Sequence, residues 1–430
     1  MFCKFQTIIL NLLLDYPSVR EIIVYMKNLI KEKRNFFKNI IIFLSSFLFF
    51  KKLKANQNIS EFEKKTGFRN YGIPSSFEKI FRWIVANPVT RGNGVSYSPL
   101  SKLKGTITPN GLHFERHHYG VIDINPKNYE LEIETKNKSK KFSLSDLRQN
   151  KIITKRTFIE CGGNSNLLYN KIPTQTKLDL IHGLFSCSEW SGVLLKSLFF
   201  ENFKKNEIKK YKWVELTSYD KGSYNISLPI SKIINESFLA LYQNGEPIRP
   251  EQGYPVRFIM PGYEGSTSVK WLKKITLRQT PAFSRNETSR YTDLLPDGKS
   301  KQFSFDMMPK SIITKPSFGD KLEKGNIVIH GLAWSGVSLI NRVQISLDGG
   351  KSWKEAKLNE KKSKITNFTY SFNWEGKPIL LQSRCIDNKK YFQPSRKKFL
   401  EKMGYNAYYH FNAISTYKIN SNGKVEHVYS

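Results

Sequence analysis

In the stretch Phe158-Ile159-Glu160-Cys161-Gly162-Gly163-Asn164-Ser165, an apolar run ends at a cysteine and the next two residues have no side chain. A thiol that only fills a core sits among large apolar groups, whereas two glycines directly behind it mark a place where something large approaches the backbone. The thiolate is the soft ligand and the nucleophile of protein chemistry, so a metal centre, a covalent catalyst and a redox thiol all suit it. The plain structural alternative is a buried free cysteine beside a glycine turn.

Other runs supply groups that could hold an anion near such a thiol. Within Leu112-His113-Phe114-Glu115-Arg116-His117-His118-Tyr119-Gly120, an arginine and two imidazoles are consecutive, a donor set for phosphate or another oxyanion. Zinc would need His117, His118 and Cys161 to converge, but neighbouring residues of a strand point to opposite faces. After the turn Asn244-Gly245-Glu246-Pro247, the run from Glu251 to Leu272 sets a strand, Val256 to Met260, between glycine turns and closes in Ser268-Val269-Lys270-Trp271. Arg257 and Lys270 then stand beside exposed backbone amides, the parts of an anionic-cofactor cradle. Gly183 to Val193 leads into a helical run at Leu194 to Phe199, and its Ser188 and Glu189 read as a helix cap.

The elements that must position these residues fall into three segments: 1–55, an export signal or N-terminal extension; 56–308, the domain that carries the thiol and the anion-holding runs; and 309–430. Strand-like runs such as Val121 to Ile124 and Tyr129 to Ile133 alternate with short helical ones in the middle segment, which reads as α+β. Neither G-x-G-x-x-G after a strand nor G-x-x-x-x-G-K-[ST] occurs, so a Rossmann site and a P-loop are not indicated. Beyond Pro309, Ile327 to Trp334, Val343 to Leu347 and Phe368 to Trp374 alternate with turns such as Asp348 to Lys351, the spacing of an immunoglobulin-like β-sandwich with a structural or dimerising role. A chain of 430 residues, 39% apolar, can bury sizeable cores, and its charge of +33 suits an anionic substrate or an acidic partner. Lysines are scattered and no basic helix carries interleaved aromatics, so nucleic acid is not the expected partner. The cysteines, Cys3, Cys161, Cys187 and Cys385, form no C-x-x-C pair, which argues against a zinc ribbon, a thioredoxin site and a c-type haem attachment. Lys33-Arg34-x-Phe36-Phe37-Lys38 followed by Ile40 to Phe50 has the charged and apolar regions of an export signal, with Met26 as a candidate start. Cleavage near Ala55 would remove ten basic and three acidic residues, leave +26, and leave three cysteines that cannot all pair.

These residues resemble the sulfite oxidase family of molybdenum-pterin enzymes, from about Tyr71 to the C-terminus. Glu160 to Asn164 looks like the family's cysteine motif, Asn244 to Pro247 and Gly253 to Arg257 like its pterin-binding core, and Asp348-Gly349-Gly350 with Trp353 like its dimerisation domain. Glu115 to His118, Ser186 to Trp190 and Glu287 to Gly298 look most like the molybdenum subunit of bacterial sulfane (sulfite) dehydrogenases. The resemblance implies Cys161 as the thiolate on molybdenum and Tyr291 as the active-site tyrosine. It places Phe114, Glu115, Arg116, His117, His118, Asp220, Gln252, Arg257, Ser268, Val269 and Lys270 around the pterin, with Arg116 also facing the substrate oxyanion. It further implies a twin-arginine-like export signal with lysine in the first arginine place, a periplasmic location, no haem or flavin of the chain's own, and a separate c-type cytochrome as electron acceptor. The assembly would be a homodimer or a heterotetramer with that cytochrome.

Three places depart from the sulfite oxidase pattern. Ser165 and Asn166 stand where sulfite oxidases carry arginines, Gln252 stands for a histidine, and Gly404 to His410 offers no counterpart for a C-terminal substrate arginine. A pocket short of cationic and donor groups fits a larger, partly neutral substrate, such as sulfur held on a carrier protein's cysteine, better than free sulfite. The expected reaction is oxygen-atom transfer to sulfur, the electrons leaving singly. Direct oxidation of free sulfite is the rival within the class, and an oxyanion-binding or adhesion protein is the rival outside catalysis.

Overall fold

The computed structural model describes residues 71–86 and 92–430, so the export-like run from Lys33 to Ala55 lies outside the described residues. Lys79–Ser430 forms one compact unit. No helix among the described residues is long and apolar enough to cross a membrane.

Beside a three-stranded sheet (Trp83–Ala86, Gly94–Tyr97, Glu115–His117) and a two-stranded pair (Asp293–Leu294, Ser300–Lys301), two five-stranded sheets make the first half. One has the order Glu246–Pro247, Phe238–Gln243, Phe185–Leu194, Ile152–Glu160, with Arg257–Ile259 also paired to Phe238–Gln243. Its last strand alternates between exposed and half-buried over Ile152 to Arg156 and is buried throughout from Thr157 to Glu160, so the chain runs from the surface into the interior just before Cys161. Phe185–Leu194 is a ten-residue strand antiparallel to it, from Val193 opposite Ile152 to Phe185 opposite Glu160. The helix cap expected at Ser188 and Glu189 is therefore corrected: Ser188 is buried in a strand interior, and the following helix, Leu195–Asn202, has no side-chain cap. Gly192 is required there, because a Cβ would collide with the Leu239 carbonyl of the adjacent strand.

The second sheet has the order Ser139–Ser143, Glu130–Glu134, Leu272–Arg278, Trp213–Ser218, Asn225–Pro229. Leu131, Ile133, Val214, Leu216, Leu272 and Ile275 are solvent-free, and they pack in one core with Leu195, Phe199 and Ile233 from two short helices. The strand expected at Val121 to Ile124 does not form; the segment is irregular and half exposed, with no ladder partner.

Residues after Pro309 form two packed sheets, of four and five strands. Alternation along Gly325–Trp334 and Ile340–Ser346 turns Ile329, Val343 and Ile345 inward against Phe368, Leu381 and Tyr417. The molecule is thus an α+β first half followed by an immunoglobulin-like sandwich. The halves meet at the cysteine strand. Phe185 and Trp334 pack with tilted rings whose centroids are 4.2 Å apart, and the backbones of Gly262 and Gly336 touch so closely that neither position admits a Cβ.

Candidate active site: a basic cavity around a half-buried thiol

The buried end of the Ile152–Glu160 strand delivers Cys161 to the wall of a cavity holding about 750 Å³ of empty space, its mouth included. Phe114, Arg116, His117, His118, Asp220, Gln252, Arg257, Ser268, Val269, Lys270 and Tyr291 line the same cavity. Segments up to 177 positions apart, Phe114 and Tyr291 at the extremes, are brought together there. Glu115 is the exception. It does not line the cavity and instead pairs with Arg82 and accepts from or faces His117 Nε2 at 2.8 Å, so it braces the wall from behind. The strand Glu115–His117 ends at His117, which is why two consecutive imidazoles both reach the cavity despite the strand alternation expected for them. Among the described residues no group of three His, Cys, Asp or Glu side chains could hold a metal ion, which leaves the zinc arrangement of His117, His118 and Cys161 without support.

Positive charge dominates the walls. Arg257, 3% exposed, donates to the Ser268 carbonyl at 3.2 Å and to Gln252 Oε1 at 2.9 Å, and its guanidinium lies 5.2 Å from the Trp190 ring. Lys270 Nζ donates to the Glu251 carbonyl at 2.8 Å, and Arg116 donates to Asn93 Oδ1 at 2.6 Å. None of these three cations has a carboxylate partner among its hydrogen bonds. The only carboxylate in the lining, Asp220, accepts from the amides of Gly222 at 3.1 Å and Tyr224 at 2.9 Å, which fixes the 217–224 loop. Burial, with Arg257 second, holds the Lys270 ammonium well below its usual range. Burial first, then Lys270 and Arg116, push His117 down to about 2; burial, then Arg116 and Arg290, push His118 down to about 3.

A cavity whose cations are partnered only by neutral groups is complementary to an anion. Ser266 Oγ, buried without a partner in this lining, adds an unused polar atom. The donor set therefore fits an anionic cofactor bearing phosphate, with a soft thiolate for its metal. The Cys161 thiol itself is raised to about 11 by burial, offset in part by a hydrogen bond from the Gly163 backbone. Tyr291 is raised far above the ordinary phenol range by burial first and then by Cys161 and Glu264, so it stays protonated as a donor.

The structure adds residues that were not singled out in the sequence. Tyr224, Ser218, Gly265 and Ser266 join the lining, beside Gly120, Ile159 and Trp271 from the runs quoted above. From the C-terminal side, His410 N donates to the Gly162 carbonyl at 2.8 Å while His410 Nε2 lies 2.9 Å from Glu264 Oε2, and the Tyr409 ring lies tilted against Tyr291 with centroids 5.5 Å apart. The segment around Gly404 to His410 thus does reach the site, with aromatic rings and an imidazole instead of an arginine. The run Tyr408-Tyr409-His410 was the signal available in the sequence. What approaches the two glycines is protein: a Cβ on Gly162 would sit 2.5 Å from Glu264 Oε1, and one on Gly163 3.0 Å from the Tyr408 ring.

Comparison with known proteins agrees with this geometry. Residues 118–286 match the oxidoreductase molybdopterin binding domain, and residues 301–416 match the Mo-co oxidoreductase dimerisation domain. Mitochondrial sulfite oxidase of Rattus norvegicus is 30% identical over 268 residues, 59% of this chain and 49% of the relative. That of Drosophila melanogaster is 31% identical over 270 residues, 59% of this chain and 47% of the relative. Nitrate reductase [NADPH] of Pichia angusta is 28% identical over 293 residues, 61% of this chain and 34% of the relative. The chain spans about half the length of the sulfite oxidases it matches. The crystal structure of the sulfane dehydrogenase SoxCD from Paracoccus pantotrophus superposes with a TM-score of 0.78 at 36% identity, covering 84% of this chain and 93% of that one. Both halves of the chain, and the cavity between the elements that carry Cys161, Arg257 and Lys270, are therefore those of one lineage: this chain belongs to the sulfite oxidase family of molybdopterin-binding oxidoreductases.

Proposed function

We propose that this chain is the molybdenum subunit of an exported enzyme that oxidises sulfane sulfur carried on a partner protein's cysteine and passes the electrons singly to a separate c-type cytochrome. One observation carries the reading: a single cavity holds Cys161, Arg116 and Tyr291 against a cradle of cations with no carboxylate partners. Molybdenum-pterin, when bound, supplies two-electron oxidation of sulfur with oxygen drawn from water.

The chain's own residues do the rest. Cys161 ligates the metal as thiolate. Arg257, Lys270 and His118 hold the pterin and its phosphate by charge-assisted hydrogen bonds. Arg116, fixed by Asn93, faces the substrate and stabilises negative charge on the oxidised sulfur, an effect worth about 3 kcal/mol in a water-poor site. Tyr291, kept protonated, donates a hydrogen bond toward the reacting centre. Preference for carrier-bound sulfur rests on Ser165, Asn166 and Tyr408 to His410 where free-sulfite enzymes are expected to place arginines, and similarity over 93% of the sulfane dehydrogenase chain supports it. The periplasmic location rests on the charged and apolar run before Ala55.

Purified protein, made with pterin synthesis intact, should contain about one molybdenum per chain; none would remove the enzyme reading. Cytochrome c reduction should be strong with a sulfur-loaded carrier and weak with sulfite. The reverse ranking would favour the second reading, a sulfite dehydrogenase, to which the 30% identity with sulfite oxidases already points.

A further inference from the structure

We propose that Lys310 is a positioning residue for Cys161: its ammonium, supplied by the second half of the chain, fastens both ends of the loop that carries the thiol. The inference rests on the reading of Cys161 as the metal ligand, but the geometry stands without it. Lys310 opens the Lys310–Lys315 strand and is 2% exposed. Its Nζ donates to Glu160 Oε1 at 2.9 Å and to Ser165 Oγ at 2.7 Å, the residues that bracket Cys161 to Asn164.

The two ends of that loop have different needs. Glu160, 1% exposed, points away from the cavity and is held by Trp334 Nε1 at 2.6 Å and Asn164 Nδ2 at 2.9 Å as well as by Lys310. It would remain hydrogen-bonded without the lysine. Ser165 is less secure, because its backbone sits in the left-handed region at φ 69°, which a residue with a Cβ rarely adopts. Its hydroxyl has two partners, Lys310 and His182 Nδ1 at 2.7 Å. Burial and then Lys310 hold His182 well below the usual imidazole range, so His182 is neutral and Lys310 is the one charged hydrogen-bond partner of Ser165 Oγ. Asn164 N donates to the Cys161 carbonyl at 2.9 Å, so release at Ser165 is transmitted to the cysteine itself. Ser165 also stands where arginine was expected; the cation that its hydroxyl meets comes from 145 residues further along the chain, is buried, and does not line the cavity.

Because a ligand's supporting contacts set its orientation, loss of the clip should free the thiol before it unfolds the protein. The test uses the full chain in cofactor-free and loaded forms, as wild type, Lys310→Met, and Lys310→Met with Glu160→Gln. Alkylation of Cys161 by iodoacetamide in the cofactor-free protein, followed by peptide mass, reads the loop directly. Lys310→Met should speed it about tenfold, as local opening would. Electrostatics alone would act in the other direction, since an uncompensated Glu160 carboxylate disfavours the thiolate. The double variant leaves no buried charge unpaired, though the glutamine amide can accept from only one of Trp334 and Asn164; it should recover part of the thermal stability but not slow alkylation, and when loaded should retain less molybdenum. Unchanged alkylation in Lys310→Met, or recovery of the wild-type rate along with stability in the double variant, would overturn the proposal by reducing the pair to a structural contact. Absence of molybdenum from the wild type would instead defeat the ligand reading and leave the alkylation result intact.

Discussion

Gly162 and Gly163 sit side by side but tolerate change very differently. Gly162 faces a buried carboxylate: Glu264 Oε1 has no hydrogen-bond partner and would lie 2.5 Å from an added Cβ. Glu264 cannot retreat cheaply, because His410 holds its other oxygen and its amide donates to the Phe305 carbonyl at 2.8 Å. Gly163 faces the Tyr408 ring, which is 52% exposed and can swing outward. Gly162→Ala should therefore destabilise the cofactor-free protein by about 1–3 kcal/mol and lower its molybdenum content, while Gly163→Ala should cost under about 1 kcal/mol. Thermal unfolding and metal analysis on both variants check the contrast. At the cradle, Arg257→Gln removes a buried cation whose proposed partner is the cofactor phosphate. Pterin recovered per chain should fall at least about tenfold, with the fold retained, since a lost charge-assisted contact of this kind costs about 2 kcal/mol or more.

Among the elements, the single-turn π-helix Asn286–Arg290 decides where Tyr291 points. It is anchored by Glu287, 3% exposed, whose carboxylate accepts from Ser227 N at 2.9 Å, from Ser284 N at 2.7 Å and from the Ser227 hydroxyl. Glu287→Ala leaves two buried amides without acceptors, so we expect a loss of about 2–4 kcal/mol by denaturant unfolding. Loss of kcat should exceed any rise in KM, because the displaced group is a donor to the reacting centre and not a binding contact. The resemblance picked out Tyr291 and the run that opens at Glu287, but the anchoring role of the Glu287 carboxylate was not legible in the sequence. Legibility followed locality. Cys161 with its glycines, Arg116 with its histidines, and Arg257 with Lys270 each carry their chemistry within a few positions, and the two-residue period after Pro309 announced the sandwich. Glu115 was misplaced because a run of donors does not reveal which member turns back to Arg82. The strand at Phe185–Leu194 was taken for a helix cap because alternating small polar residues inside a buried sheet mimic capping composition. The partners of Lys310 and His410 were hidden for a simpler reason: they lie 145 positions or more away.

Considered as one body, the molecule holds several imidazoles out of water. Burial is the first cause in each case. His113 and His182 lie well below the ordinary range, His117 is driven to about 2, His118 to about 3, and His427 to about 4. In the unfolded chain each titrates near about 6.5. Folding therefore excludes protons that the unfolded chain binds, and the sign follows: stability is complete above about pH 6.5 and is lost as pH falls from there toward the folded values. Each fully buried site contributes up to about 2 kcal/mol between pH 7 and pH 5. Urea unfolding of the cofactor-free protein should show a steep decline over that interval. His427 provides the control, being remote from the cavity, in the sandwich beside Tyr417 with ring centroids 4.4 Å apart. His427→Gln should reduce the slope by about one proton without touching cofactor content. Loading the cofactor should flatten the curve further, because an anion beside His117 and His118 offsets the repulsion of Lys270 and Arg116 and raises both imidazoles toward their solution values. Identical slopes in loaded and cofactor-free protein would mean that the anion does not lie against these two side chains, and the placement of the phosphate in the cradle would have to be given up.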